Sequence, residues 1–408
     1  MRLNLFSITL LISVFSFGCN KNNTEKQFDL LKFSWEDILA EAQGETVNLM
    51  MWQGDPLIVN YMQNYVKPKL KELYDINLET ASGQGNIIVQ ALLGEIEAGR
   101  STSELDLIWI NGETFYQLRQ IDALFGPFTE KLPNAQYIDF ANPFIGQDFQ
   151  QLVDGYECPW GNVQMAIIYN SAKVQNPPMT RAELLDFVKA NPGVFTFDAH
   201  FTGLTFLKAL LIDIAGGSQK LNGAFDETKY TKYSTELWKY IHELKPYLWK
   251  AGSTFPEAVA PMHQLFASGE LWFTMSNNDA EVDNKVSQGL FPNTARAYVP
   301  AFGSIQNSHY MGIPKLSDNK AAAMVVCNFL ISLEAQYQKM DPQVWGDGTV
   351  LDLNKLPDEW REKFQTLPTR QHAPDRAKIQ EKALQEIAPE YMIRLAEDFR
   401  KNVINSKM

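Results

Sequence analysis

The 408-residue chain carries 36 basic against 48 acidic side chains, and its formal net charge of −12 disfavours nucleic acid or an anionic membrane surface as a partner. A body of this length exceeds what one hydrophobic core usually serves, so two domains are expected. Beyond Cys19 only Cys158 and Cys327 remain, neither at CxxC spacing, which argues against metal-thiolate chemistry. So large a chain needs no disulfide staple, which favours two buried free thiols, although spacing alone leaves a bond open.

The first element is an export signal. Arg2 precedes a nearly unbroken apolar run, Leu5 to Phe17, that stops at Gly18-Cys19. The run falls well short of the ~20 residues that span a bilayer. Ser16-Phe17-Gly18-Cys19 has the form of a lipobox, with Ser16 in place of the usual Leu. Removal of residues 1–18 and lipid attachment at Cys19 are therefore expected, with a cleaved soluble product as the alternative. Polar residues from Asn20 to Gln27 open a flexible tether over 19–44. The mature protein is thus expected outside the cytoplasm, in the periplasm or cell envelope, which removes ATP-driven and NAD-dependent chemistry from the leading candidates. No later segment reaches ~18 uninterrupted apolar residues.

Strands and helices alternate from Thr46. A buried strand is expected over 46–52, and Asp55 followed by Pro56 is an N-cap and first helical position. Ile58, Met62, Tyr65 and Val66 recur at helical spacing, and Pro68 kinks or restarts that helix. Strand 76–80, a loop at 82–86 and a helix stopped by Gly99 repeat the unit, and 105–110 is a third strand apolar on both faces. A second series begins at strand 163–169. Thr180 and Glu183 match a capping box, 194–197 reads as a short strand, and a helix follows that Gly216-Gly217 closes. Strand 271–275 comes next, and beyond Pro374 the pattern is of helices interrupted at Pro389.

Five strand ends run into clusters rich in Gly, Asn, Asp, Ser or Thr, at 53–55, 82–86, 111–113, 200–203 and 276–279. In open α/β sheets such carboxyl-end loops line the crevice where ligands bind, with helix N-terminal amides as donors. Ordinary turn and cap chemistry demands the same residue types, so the set carries more weight than any one cluster. Gln53, Gly54, Asp55, Gly83, Asn111, Glu113, Thr202, Gly203, Asn277 and Asn278 are the candidates that follow. Trp52, and Trp160 with Gly161, add rings able to stack on a solute, whereas Trp109, inside a doubly apolar strand, reads as core. The catalytic search returns little. The histidines form no HExxH, and no GxSxG elbow, phosphate loop or GxGxxG fingerprint occurs. Asp55, Glu113 and Asp279 are the carboxylates that would have to meet for a glycosidase-like pair. No cofactor or metal is called for.

Several stretches carry a resemblance, among them Asp106-Leu107-Ile108-Trp109-Ile110-Asn111-Gly112-Glu113, Val153-Asp154-Gly155-Tyr156-Glu157-Cys158-Pro159-Trp160-Gly161 and Lys189-Ala190-Asn191-Pro192-Gly193. Gly126-Pro127-Phe128, Lys131-Leu132-Pro133-Asn134 and Phe201-Thr202-Gly203 continue it in order along the chain. In these the chain resembles bacterial extracellular solute-binding proteins of ABC importers, and within them the YnjB-like group. The resemblance implies a periplasmic-binding-protein-like α/β fold, two lobes joined by crossing segments with a ligand cleft between them. It places the crossings near 158–161 and 301–308, giving a first lobe of 45–160 with 303–337 and a second of 161–302 with 338–408. It also implies that Gln53, Gly54, Asp55, Asn111, Glu113, Trp160, Thr202 and Asn277 face the solute, that the partners are a permease and its ATPase, and that the protein is a monomer. The clusters contain acids and no arginine, which disfavours a simple oxyanion and favours a neutral or cationic organic solute, sugar-like or thiamine-like. An extracellular hydrolase and a non-transport surface or sensor lipoprotein remain the rival readings.

Overall fold

A computed structural model describes residues 30–405, so the export signal and Cys19 lie outside the described residues. In chain order the strands are β1 (Thr46–Met51), β2 (Asn77–Ser82), β3 (Leu107–Ile110), β4 (Gln147–Asp148), β5 (Gln151–Leu152), β6 (Glu157–Gln164), β7 (Ala166–Asn170), β8 (Phe273–Ser276), β9 (Ala295–Tyr298), β10 (Ser304–Gly312) and β11 (Ala383–Leu384). Two larger sheets follow from their pairing, besides the two-stranded β4–β5. In the first, β1 lies parallel between β2 and β3, Leu49 facing Thr80 on one side and Leu107 on the other. Strand β10 runs antiparallel to β3 and, on its other edge, to β6 from Gln306↔Gln164 to Gly312↔Glu157. In the second, β7 lies antiparallel between β8 and β9.

Period-two alternation sorts the first sheet's side chains. Val47, Leu49 and Met51 enter one core with Leu107, whereas Ile108 and Ile110 enter another with Ile88, Leu92 and Phe115. Such burial is what holds each helix on the sheet. The second lobe has its own core, built on Phe195, Phe197, Leu207, Leu211 and Ile241. This is the two-lobed α/β architecture that the resemblance implies.

The local signals fold largely as their chemistry directs. Asp55 caps the helix Pro56–Tyr61, accepting the Leu57 amide at 2.7 Å. Thr180 accepts the Glu183 amide at 3.2 Å, and Gly216 ends the helix Phe201–Ala215 in the left-handed conformation. Four expectations change. Residues 35–42, expected in a flexible tether, form a helix opened by a capping box at Ser34, and Ile38 and Ala42 are fully buried against the helix Lys320–Leu330. The segment 194–197 is extended but forms no ladder, because its carbonyls meet isolated amides, Trp272 on Val194 and Trp249 on Phe195. Pro389 starts the helix Pro389–Phe399 rather than interrupting one, since a first-turn position needs no amide proton. The segment 338–408 divides: Trp345, Leu351 and Phe364 pack in the first core, and Ile387, Leu395 and Phe399 in the second.

The chain therefore passes between the lobes three times. β6 leads into β7 through Met165, whose amide bonds the Ile305 carbonyl at 2.8 Å. β9 leads back into β10, and residues 365–383 make the third passage. Cys158 and Cys327 are buried and free, as chain size favours.

Candidate functional site

A cavity of about 300 Å³ opens where the carboxyl ends of β1 and β3 face the amino end of the helix Phe201–Ala215 and the turn after β8. The first lobe contributes Trp52, Gly54, Asp55, Gln84, Trp109 and Asn111, with His309, Trp345 and Asp347 at the floor. The second contributes Asp198, His200, Phe201, Thr202, Asn277 and Asn284. Three indoles and a phenyl ring thus border a space edged by amides, hydroxyls, acids and two imidazoles, with Ile58, Val163 and Val259 adding aliphatic surface, the composition of a site that stacks and orients an organic molecule.

Each polar group is held by its local element. Asn277 donates to the Thr202 hydroxyl at 3.0 Å, joining two of the expected clusters. Asp55 spends one oxygen on its cap and gives the other to Lys285 at 2.5 Å, an ion pair that joins the lobes. At the floor, Asp347 accepts from His309 at 3.0 Å and from Lys339 at 2.5 Å. Burial pushes the Asp347 carboxyl up, but His309 and Lys339 outweigh it and hold it below the ordinary value. Burial depresses Lys339 in turn, with Asp347 opposing.

Of the residues singled out in the sequence, Trp52, Gly54, Asp55, Asn111, Thr202, Asn277 and Asn278 border the cavity. Gln53, Gly83, Glu113, Trp160, Gly161 and Gly203 do not. Gly203 lets the helix start approach the chain, since a Cβ there would strike the Asp198 carbonyl, and at Gly161 one would strike His309 and Asp347. Gly83 sits over the Met50 side chain, where a Cβ would come within 2.5 Å of the sulfur. Trp160 is fully buried behind Trp109, edge to face with ring centroids 4.9 Å apart. The two tryptophans exchange the places expected of them: Trp109, at the last turn of a short strand, reaches the cavity and Trp160 is core.

Glu113 lies behind the cavity, where the lobes also touch. Lys208 pairs there with Glu386 at 2.5 Å, the Gly112 amide donates to Asp148, and the Phe149 ring lies under the Lys208 ammonium at 4.1 Å. Burial raises Glu113, Asp148, Glu157 and Glu386 above the ordinary carboxylate value, with Lys208 opposing at Glu113, Asp148 and Glu386 and Arg119 at Glu157. Asp279 is elsewhere again, gripped by Arg370 and Arg376 and bonded by the Gln164 amide. Burial raises its carboxyl, yet the two guanidinium groups dominate and hold it far below the usual range. Asp55, Glu113 and Asp279 therefore do not form an acid–base pair. Sequence reasoning missed His309, Trp345 and Asp347, which the fold assembles from distant segments. Asp198 it missed by two positions, because the cluster was taken to start at His200.

Comparisons with known proteins agree with the fold. The model of the family described as bacterial extracellular solute-binding protein matches residues 64–368. Protein YnjB of Escherichia coli strain K12 is 38% identical over 336 residues, 81% of this chain and 86% of that protein. Among solved structures, the periplasmic binding protein AfuA of Actinobacillus pleuropneumoniae, with fructose-6-phosphate bound, superposes with a TM-score of 0.62 at 13% identity, covering 89% of this chain and 99% of its own. The spermidine/putrescine ABC transporter substrate-binding protein PotD of Streptococcus pneumoniae gives 0.54 at 15% identity, covering 87% and 99%. The chain belongs to the bacterial extracellular solute-binding protein family.

Proposed function

We propose that the protein captures a small polar organic solute, neutral or cationic, in the cavity between its lobes and presents it to an ABC-type permease and its ATPase. One observation carries the reading: the cavity takes its walls from both lobes, and the Asp55–Lys285 pair bridges them. A solute touching both walls favours the joined lobes by its differential affinity for that form. The candidate contacts are Trp52, Asp55, Asn111, Thr202 and Asn277 from the sequence, with Trp109, His309 and Trp345 from the fold. A lipid at Cys19 after signal cleavage is part of the same proposal, holding a monomeric binder near its permease and raising its effective concentration there.

The test is a thermal-shift and calorimetric screen of the mature chain with thiamine, choline, putrescine, glucose, inositol, sulfate and phosphate. At a hundredfold excess over Kd a bound organic solute should stabilise the fold by about 2.7 kcal/mol and compact it in X-ray scattering. Tight sulfate or phosphate binding with no response to any organic solute would overturn the ligand class. Mass spectrometry of the intact chain from membranes, showing an unmodified residue 19, would remove the anchor and leave the cavity reading standing.

A further inference from the structure

One acid on the cavity wall lacks the partner that every other has. Asp55, Asp198, Glu281 and Asp347 all border the cavity. Lys285 serves Asp55 at 2.5 Å and Glu281 at 3.4 Å, and Lys339 and His309 serve Asp347 at 2.5 and 3.0 Å. Among the described residues Asp198 has no ion-pair partner. Its Oδ1 accepts the His200 amide at 2.9 Å, while Oδ2 is buried without a hydrogen-bond partner and the residue is 1% exposed. Asn284 repeats the pattern on the same wall. Its amide nitrogen donates to the Trp345 carbonyl, which fixes the orientation of the group and leaves Oδ1 buried and unpaired.

Both orphan atoms are acceptors. Among the described residues the buried side-chain donors without partners, on Tyr65, Arg119, Gln151, Trp160, Trp238 and Thr274, lie away from the cavity. A buried acceptor without a donor is costly, and a buried carboxylate without a counter-charge more so. Burial raises the Asp198 carboxyl, opposed by the amides of His200 and Gly203 and by the neighbouring His200 imidazole. Its place before the amino end of the fifteen-residue helix Phe201–Ala215 also favours the ionised form. Trp52, Trp109 and Trp345 supply ring faces that attract a cation.

We propose that Asp198 is the counter-ion for a positively charged N–H group of the solute, so that the ligand is an organic cation, a protonated amine or amidinium. Asn284 accepts a second N–H, and the carbon skeleton lies against the indoles. This rests on the solute-binding reading above and narrows it, excluding neutral sugars and anions as the principal ligand.

The experiment uses charge-matched pairs on the mature chain by calorimetry: benzylamine against benzyl alcohol, and agmatine and putrescine against inositol and glucose. Wild type should bind the amines and ignore the neutral members. Asp198→Asn, which keeps the shape and an acceptor but loses the charge, should weaken amine binding ~30-fold or more. The thermal midpoint of the unliganded variant serves as the folding control. Should that variant not fold, wild-type affinity for agmatine measured from pH 8 downward must fall as Asp198 takes up a proton; a flat profile overturns the assignment. Binding of inositol or glucose by wild type, kept within threefold in Asp198→Asn, also overturns it while leaving solute capture intact. No binding of any organic solute by wild type instead removes the broader reading.

Discussion

Asp55 and Asp279 follow strands and Asp198 an extended segment outside any sheet, and the three do different things. Asp55 caps a helix and holds the opposite lobe, Asp279 anchors two arginines, and Asp198 borders the cavity with one oxygen unbonded. Nothing in the residue type distinguishes them; their partners come from segments far away in the chain, which is why the strand-end pattern pointed to loops that border the cavity without singling out Asp198. Glu157 makes the complementary case, fully buried with neither carboxylate oxygen bonded. Its raised value means that it stabilises the fold below the unfolded carboxylate pKa near ~4 and surrenders that stability as pH rises through the folded value. Glu157→Gln should therefore lift the thermal midpoint at pH 8 by ~2–4 °C for each kcal/mol relieved, and the gain should shrink towards pH 4. An equal shift at both pH values would show that packing, not ionisation, is responsible. Asp279 has the opposite sign, contributing stability above ~4 that is lost as pH falls.

At the level of elements, the legible parts were those whose signal is local. Caps, a left-handed glycine and apolar period are written within a few residues, so the helices after β1, β3 and β8 begin close to where their chemistry places them. The helix Trp35–Ala42 escaped because the polar tract before it carried the tether reading forward over a short amphipathic stretch. Its attachment is testable. Ile38 is fully buried against the first core, so Ile38→Ala should cost about 2–5 kcal/mol in chemical denaturation, as large-to-small core changes do. A loss below ~0.5 kcal/mol, the range of surface substitutions, would mean that the helix is not part of the cooperative unit. The floor of the cavity was illegible for a different reason: His309 and Asp347 meet across 38 positions, and no periodicity encodes that approach.

For the whole molecule, the alternation of strand and helix was enough to indicate two α/β lobes, but not that residues 338–408 are shared between them. Packing against the two cores decides that, and packing is a property of the assembled fold. The Asp55–Lys285 bond exists only when the lobes are together, so Lys285→Met should shift the equilibrium towards separated lobes. A contribution of about 1.4 kcal/mol would appear as a tenfold weaker solute affinity and a larger radius of gyration in solution scattering. Unchanged scattering together with unchanged affinity would show that the pair does not act as a latch.

The three passages between the lobes bear on which molecules can be imported. Two of them, β6 and β10, are hydrogen-bonded side by side, and the third is bonded to both, Ala383 pairing with Ser304 of β10 and the Ile379 carbonyl accepting from the Gln164 side chain of β6. A waist stitched at several points resists twisting and leaves a single bending axis, so the lobes always meet in the same register. A molecule too long for the space is then not accommodated by swivelling; it wedges the jaws ajar. Such a molecule would occupy the protein without producing the outline a permease reads, and would act as a blocker of uptake rather than as a substitute cargo.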